Sequence, residues 1–241
     1  MKIFALSDLH LSLSAPADFS QIATLKGYKP MDIFGRGWEN HISRIYENWQ
    51  VTVGTEDVVL IPGDISWAMT LEEARFDLDF VGHLKGRKIL LRGNHDYWWH
   101  SVAKIRKILP PGIEILQNNA IVVGDMAITG SRLWSLPGTS DFSAEDQKIY
   151  DRELIRLELS LKEAKGRPVI NMTHYMPVNE NGDRNDVIDL LLNYEVQSVV
   201  YGHLHDKSHR IALEGSHWGM DFHLVSGDYL GFVPKLIVEL P

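Results

Sequence analysis

The chain has 241 residues, of which 44% are hydrophobic and 23% are charged, a composition typical of a globular protein rather than a disordered one. Its 24 basic and 32 acidic residues give a net charge of −8. A negative net charge argues against a function in which the protein binds nucleic acid by general attraction to phosphates. Cysteine is absent, which excludes disulfides, thiolate metal sites and thiol catalysis.

Short apolar runs alternate with longer amphipathic segments along the chain, a pattern typical of an α/β protein. The predicted strands are residues 2–7, 57–61, 88–91, 169–172 and 196–201. The predicted helices are residues 39–49, 71–84, 98–109, 144–164 and 185–193. No linker rich in Gly, Pro or Ser separates these elements, so we expect a single domain over residues 1–241.

Turn residues predict further strands outside these elements. Between residues 113 and 132 the pattern changes to short strands, with turn residues at 118–119 and 124–125, which predicts hairpins. The last stretch, 222–240, predicts strands joined by Gly227-Asp228. Because hairpins pair strands in antiparallel fashion, we expect a sheet that is not purely parallel.

From the apolar runs of the sequence we expect no membrane span and no secretory leader. The N-terminal apolar stretch is broken by Asp8, and a secretory leader needs roughly 7–15 consecutive apolar residues. The longest apolar runs elsewhere are four residues, as at 58–61, whereas roughly 20 residues are needed to cross a bilayer. We therefore expect a cytoplasmic protein that does not contact membranes.

Each of the five predicted strands named above ends in a polar cluster. The clusters read SDLH at 7–10, PGDI at 62–65, GNHD at 93–96, MTHY at 172–175 and GHLH at 202–205. In open α/β sheets, ligands bind beyond the carboxyl ends of the strands. We therefore expect all five clusters to gather on one rim of the sheet.

The side chains of these clusters offer oxygen and imidazole groups, a donor set that suits divalent Mn, Fe, Zn, Co or Ni. They are Asp8, His10, Asp64, Asn94, His95, Asp96, His174, His203 and His205. Alternate residues of an extended segment share one side, so both ends of Asp-x-His and of His-x-His can reach the same ion. Seven or eight ligands are too many for one tetrahedral ion but suit a pair about 3.5–4 Å apart, an arrangement used for displacement at phosphorus.

Taken one at a time, the motifs are weak evidence for a metal site. An isolated Asp-x-His usually binds no metal, and Gly63-Asp64 alone fits an ordinary turn. Five motifs in order, each at the end of a strand, are poorly explained by coincidence. The histidines outside the motifs are predicted to be structural: His41, His83, His100, His209, His217 and His223.

The ordered motifs resemble those of the calcineurin-like metallophosphoesterase superfamily: Asp-x-His, Gly-Asp, Gly-Asn-His-Asp/Glu, a lone His and Gly-His-x-His. The resemblance implies a four-layer α/β/β/α sandwich of two mixed β-sheets flanked by helices. It also implies two divalent metal ions, with manganese the expected choice in vitro, and a small phosphate-ester substrate.

The resemblance further implies a role for each residue. The ligands would be Asp8, His10 and His205 for one ion, Asn94, His174 and His203 for the other, and Asp64 as the bridge between them. A hydroxide bridging the ions would attack phosphorus in line, without a covalent enzyme intermediate. His95 would assist the leaving group, and Asp96 is a candidate to orient His95.

Two departures from related families narrow the function. Protein Ser/Thr phosphatases of this superfamily carry Gly-Asp-x-x-Asp-Arg-Gly, but residues 65–69 lack the second Asp and the Arg, which disfavours protein dephosphorylation. Purple acid phosphatases place a Tyr ligand three residues after the bridging Asp. Trp67 stands there instead, which excludes a tyrosinate-iron site if the alignment holds.

Several residues near the motifs have two open interpretations. Tyr97-Trp98-Trp99 fits either an aromatic wall for a nucleobase or, the preferred interpretation, a segment packed into the core. Arg132 fits a phosphate contact or a structural role equally well. Residues 12–37 lack a clear period, which is typical of a functional or mobile loop.

The leading hypothesis is a metal-dependent phosphohydrolase, either a phosphodiesterase or a phosphatase, with nucleotides among its candidate substrates. A nuclease of the same fold is disfavoured by the acidic net charge and the lack of a basic run. A non-catalytic metal-binding scaffold for a partner protein is the other alternative, although every ligand position is filled. The oligomeric state stays open.

Overall fold

Two β-sheets lie at the centre of the structure, a computed structural model in which residues 1–139 and 142–241 are described. The strands are β1 (Lys2–Ala5), β2 (Val58–Pro62), β3 (Arg87–Leu91), β4 (Ile113–Ile115), β5 (Ile121–Val123), β6 (Met126–Ser131), β7 (Val169–Thr173), β8 (Val196–Tyr201), β9 (Gly215–His217), β10 (Met220–Leu224) and β11 (Lys235–Glu239). The helices are α1 (His41–Thr52), α2 (Leu71–His83), α3 (Val102–Ile105), α4 (Ala144–Lys162) and α5 (Asp186–Leu191). Within the described residues, no helix combines the length and the apolar character needed to cross a membrane.

Both sheets are mixed. The first has the order β11-β1-β2-β3-β4, in which β1 to β4 run parallel and β11 pairs antiparallel with β1. The second has the order β5-β6-β7-β8-β10-β9, in which the four central strands run parallel and the two edge strands pair antiparallel with their neighbours. The expectation of sheets that are not purely parallel is therefore confirmed.

The alternation of side chains along the strands creates three separate cores. Ile3 and Ala5 of β1 pack with residues of the second sheet such as Ile170, so one core fills the space between the sheets. Phe4 points the other way, into a core shared with α1 and α2. On the far side, α4 and α5 cover the second sheet through residues such as Leu157. The order helix, sheet, sheet, helix confirms the expected four-layer α/β/β/α sandwich.

The strands that carry the motifs are confirmed, each to within two residues at either end. The helix predicted at 98–109 is wrong for most of its length, because only Val102–Ile105 is α-helical. The apolar residues there are buried in a turn rather than in a helix: Trp98 is fully buried and Trp99 is 6% exposed. The turn is closed by the backbone N–H of Trp99, which donates to the backbone carbonyl of Asp96. Burial of both indoles favours the core interpretation over a nucleobase wall.

One of the two predicted hairpins is also wrong. β5 and β6 form an antiparallel hairpin around Gly124, which adopts the positive φ that such a turn requires. The turn at 118–119 instead connects β4 in the first sheet to β5 in the second. Both strands are short, apolar-rich segments on either side of turn residues, so the local sequence does not distinguish a hairpin from a crossing between sheets.

The sequence predicted that the polar clusters share the rim of one sheet, and this prediction is wrong. β1, β2 and β3 belong to the first sheet, whereas β7 and β8 belong to the second. The carboxyl ends still meet, because the Ser7 N–H donates to the carbonyl of Val225 beyond β10, and the Asp8 N–H donates to that of Gly63 beyond β2. The rim is therefore built across the seam between the two sheets.

The irregular segment 12–37 folds back toward this seam through three 3₁₀ turns, Phe19–Thr24, Met31–Phe34 and Arg36–Trp38. The Leu13 N–H donates to the Asp77 carboxylate at 2.7 Å and anchors the start of the segment. Met31 and Trp38 are buried, and both line a cavity that the motif histidines also line. The segment thus supplies apolar side chains next to the polar clusters.

Lys88, in β3, stabilises the connection between α2 and β3. Its Nζ donates to the carbonyls of Gly82, Leu84 and Gly86 at 3.3, 2.7 and 2.9 Å, and the residue is 2% exposed. Lys88→Met keeps the aliphatic stem but leaves these carbonyls without this donor, so we expect the free energy of unfolding to fall by about 1–3 kcal/mol in urea denaturation. Lys107→Met, at an exposed lysine whose side chain bonds to no described residue, is the control and should change it by less than about 0.5 kcal/mol. Equal losses in the two variants would contradict the assignment.

Candidate metal centre

The turns at the ends of the motif strands have an unusual backbone conformation. Asp8, His10, Asp64 and His203 all have positive φ, between 45° and 70°. Such angles are uncommon for residues other than glycine and cost free energy unless the surroundings compensate. The local chain is therefore held in these turns by contacts from outside them.

The carboxylate of Asp96 supplies such contacts for two of the turns. Asp96 is fully buried, and both of its oxygens accept hydrogen bonds of 2.7–3.2 Å from the turns that follow β2 and β3. The donors are the backbone N–H groups of Asp64, Ile65, Ser66 and Gly93, together with the indole N–H of Trp98. Asp96 thus links the two turns, and these hydrogen bonds go to backbone and indole groups rather than to the His95 ring.

Two of the motif glycines permit a close approach between these turns. A Cβ at Gly93 would overlap the backbone N and the carboxylate of Asp64, and a Cβ at Gly202 would overlap the side chains of Ser7 and Asp8. A residue other than glycine would force the strand ends apart. These glycines therefore allow the carboxylates to lie close to the neighbouring motifs.

One group of predicted ligands consists of Asp8, His10 and His205. Each offers an atom that lies within 4.8 Å of the others. His205 Nε2 lies 3.4 Å from Asp8 Oδ1, and His10 Nε2 lies 3.7 Å from Asp64 Oδ2. Asp8 and His10 are buried, whereas His205 is partly exposed.

The second group consists of Asn94, His174 and His203. The Asn94 Oδ1 atom lies 2.5 Å from His174 Nε2 and 3.0 Å from His203 Nδ1. His174 Nε2 also lies 3.5 Å from Asp64 Oδ2, so Asp64 stands between the two groups. The structure therefore brings all seven predicted ligands together.

The buried imidazoles are in the protonation state that binds metals. Burial lowers the pKa of His174 to about 3 and that of His203 to about 4, and it lowers the pKa of His10 well below its usual value. These rings are neutral near pH 7 and offer lone pairs. Burial alone would also lower the pKa of His205, but the carboxylates of Asp8 and Asp228 raise it to about 10.

The pKa of Asp64 is shifted in the opposite direction. Burial raises its pKa well above the usual value, and the nearby carboxylates of Asp8 and Asp96 raise it further. Its Oδ2 atom is buried and accepts no hydrogen bond from any described group. A negative oxygen in this environment requires a cation.

The orientation of the lone pairs shows that the residues fit a metal ion. His174 Nδ1 lies 2.9 Å from the carbonyl of Pro62 and must donate to it, which leaves the Nε2 lone pair facing oxygens of Asp64 and Asn94. His205 differs: its Nδ1 donates to Asp228 and its Nε2 faces Asp8, and because its pKa is raised to about 10, Nε2 carries a proton near pH 7 whose place a bound cation would take. Acceptors that face acceptors across a buried space suit a divalent cation with oxygen and imidazole ligands.

His95 lies beside the ligands rather than among them. Its backbone N–H donates to Asp64 Oδ1 at 2.8 Å, and its half-buried ring lies 5.7 Å from the ring of His10. Burial lowers the pKa of His95 below its usual value. Trp67, in the position of the missing tyrosine, stacks on His10 with ring centroids 4.8 Å apart and packs against His95 at a tilt of 47° with ring centroids 4.4 Å apart. The imidazole of His95 is thus held at the edge of the centre.

Sequence reasoning missed Asp228. Its carboxylate accepts from His205 Nδ1 at 2.8 Å and from the Asp206 N–H at 3.2 Å, and it lies 3.2 Å from His209 Nε2. A carboxylate behind a ligating histidine fixes the tautomer and the orientation of the ring. Asp228 follows β10 as the other clusters follow their strands, and that position was the available signal, although Gly227-Asp228 by itself indicates only a turn.

The whole chain was compared with known proteins. A family model described as calcineurin-like phosphoesterase matches residues 1–207, and no curated protein matches significantly. Among solved structures, a phosphopantetheinyl hydrolase from Mycobacterium tuberculosis matches with a TM-score of 0.58 at 15% identity, over 100% of this chain and 96% of that chain. A protein of unknown function from Aquifex aeolicus gives a TM-score of 0.46 at 14% identity, over 98% of this chain and 95% of that chain. The first of these two structures shares the fold described above.

Asp228→Asn tests whether this carboxylate orients His205. The amide is similar in shape but loses the charge that holds the imidazole, so we expect the affinity for Mn²⁺ to fall about 10–100-fold in a chelator competition titration. Asp221→Asn, at an exposed carboxylate of β10, is the matched control and should leave the affinity unchanged. Wild-type affinity in Asp228→Asn would show that the contact does not support metal binding.

Proposed function

The chain belongs to the calcineurin-like phosphoesterase family and is a metal-dependent phosphoesterase, and from this premise we propose that it hydrolyses a small phosphate ester with two metal ions. The observation that carries the proposal is the position of Asp64. Its buried Oδ2 lies 3.7 Å from His10 Nε2 and 3.5 Å from His174 Nε2, which belong to different ligand groups. One carboxylate shared by two groups of ligands is suited to bridging a pair of ions.

The proposed ligands divide between the two ions as the geometry groups them. Asp8, His10 and His205 would hold the first ion, Asn94, His174 and His203 the second, and Asp64 both. When bound, the ions would supply an activated water and neutralise charge on the phosphoryl oxygens. Manganese is the ion proposed for assays, because the oxygen and imidazole donors suit it.

His95 is the proposed general acid. Its backbone is fixed by the hydrogen bond to Asp64 and its ring packs against Trp67, so the imidazole is held beside the ligands without belonging to them. From there it would donate a proton to the oxygen of the leaving alcohol. Asp96 is proposed as a positioning residue, because its carboxylate holds the turns that carry Asp64 and His95.

A cavity of about 230 Å³ beside His10, His95 and His205 suggests which alcohol the substrate carries. Its other walls are mainly apolar: Met31, Phe34, Trp38 and Trp67, with Asp206 at the edge. The Phe34 side chain is exposed, so it can cover a bound group. Aromatic and apolar walls favour a phosphate ester of an aromatic or apolar alcohol, and nucleosides are among these.

Asp64→Asn tests the shared carboxylate. We expect Mn²⁺-dependent hydrolysis of p-nitrophenyl phosphate and bis-p-nitrophenyl phosphate to fall at least about a hundredfold, because a neutral amide cannot bridge two cations as a carboxylate does. Asp79→Asn makes the same change on the exposed face of α2 and should keep full activity. The preferred ester then decides between phosphatase and phosphodiesterase. Metal-loaded wild-type protein that cleaves neither ester would favour a binding scaffold instead.

His95→Gln tests the general acid through the leaving group. For phenyl phosphate, whose alcohol needs a proton, we expect kcat to fall about 10²–10⁴-fold. For p-nitrophenyl phosphate the loss should be much smaller, since p-nitrophenolate leaves without protonation. Bound Mn²⁺ should stay at the wild-type level, and His83→Gln, at an exposed histidine, is the control. Equal losses on both esters would exclude proton donation by His95.

A further inference from the structure

A second cavity, of about 240 Å³, lies next to the metal centre at the seam between the sheets. The ends of β3 and β6, the chain after β4 and one face of α4 form its walls. Two of its residues adjoin the ligands directly: Arg92 precedes Gly93-Asn94, and the carbonyl of Arg132 accepts from the N–H of His174 at 3.2 Å.

Positive charge is in excess around this cavity. Arg92, Arg132 and Arg156 line it, together with a single carboxylate, Glu153. The side chain of Glu153 is 2% exposed and accepts from Arg156 Nη1 at 2.7 Å, while Arg132 Nη2 lies 4.0 Å away. One carboxylate against three guanidinium groups leaves two positive charges without compensation among the lining residues.

The guanidinium groups also have hydrogen-bonding capacity left over. The Nε atoms of Arg92 and Arg132 are buried and have no hydrogen-bond partner within residues 1–139 and 142–241. Arg132 is held in place because its guanidinium stacks on Trp134, 4.5 Å from the ring centroid. Buried charged donors without acceptors are costly, and an anion that accepts from them removes that cost.

We propose that this cavity is an anion-binding site that takes a phosphate or carboxylate group between Arg92, Arg132 and Arg156. Planar guanidinium groups bind such groups through paired hydrogen bonds, which suits oxygen anions better than halides. Gln117 adds a neutral donor to the wall, because its Oε1 accepts from the Trp99 indole at 2.8 Å and no described residue accepts from its amide N–H groups. The anion is either free in solution or a second anionic group of the substrate.

Binding of inorganic phosphate tests the site independently of catalysis. The full chain is titrated calorimetrically both with Mn²⁺ bound and after chelation, because chelation removes any phosphate binding that depends on metal. We expect saturable binding that survives chelation and weakens about tenfold or more in Arg132→Gln and in Arg156→Gln. Arg156 is partly exposed on α4, so its variant keeps the test valid if Arg132→Gln does not fold.

Arg152→Gln is the matched control. Arg152 lies on the same helix and 3.9 Å from the same Glu153 oxygen, but its side chain is 55% exposed and does not line the cavity. We expect its phosphate affinity to equal that of the wild type. The site is refuted if the chelated wild-type protein shows no saturable phosphate binding, or if Arg152→Gln weakens binding as much as Arg156→Gln.

Steady-state kinetics distinguish the two sources of the anion. If the cavity holds part of the substrate, Arg156→Gln raises KM for a nucleoside bisphosphate, which carries a second phosphate, and leaves KM for p-nitrophenyl phosphate unchanged. If it holds a free anion, neither KM changes although phosphate binding is weakened. An enzyme inactive on all of these esters would count against the proposed function, while the calorimetric result would still decide the anion site.

Discussion

The buried carboxylate of Asp96 is the contact on which the rest of the site depends. By accepting from backbone N–H groups on both the β2 and the β3 turns, it fixes the position of one turn relative to the other. Asp64 can then keep its positive φ, and its Oδ2 can lie between His10 and His174. Charged acceptors give strong hydrogen bonds to backbone donors, which offsets the strain of the turn and the burial of the charge. The metal centre is thus preorganised by the protein.

Two neighbouring regions of the seam favour ions of opposite charge. In the candidate metal centre, the buried carboxylate of Asp64 faces the neutral imidazole of His174, an arrangement that suits a cation. In the adjacent cavity, Arg92 and Arg132 present buried donors that require an anion. The net charge of −8 gives no indication of this division, because it averages over the whole surface. A substrate with a phosphoryl group and a second anionic group would match both regions at once.

The sequence predicted the motif strands because each is a short run rich in apolar residues with a polar cluster directly after it. It was wrong where local pattern and tertiary structure diverge. The apolar spacing at Trp98 and Trp99 predicted a helix, but the chain turns there because backbone and indole groups bond to Asp96. The turn residues at 118–119 between β4 and β5 predicted a hairpin, but these strands belong to different sheets. In both places tertiary contacts determine a backbone conformation that the spacing of residues along the chain does not determine.

The sequence by itself determined the chemistry of the donors and their order at the strand ends, because residue type and position in a strand are local properties. Only the tertiary structure decided that the rim crosses two sheets, that Asp228 stands behind His205, and that three arginines surround one cavity. Asp228 lies 23 residues from His205, and Arg92 and Arg132 directly follow strands of different sheets. Such contacts depend on how the two sheets pack against each other, and no local pattern of residues encodes that packing.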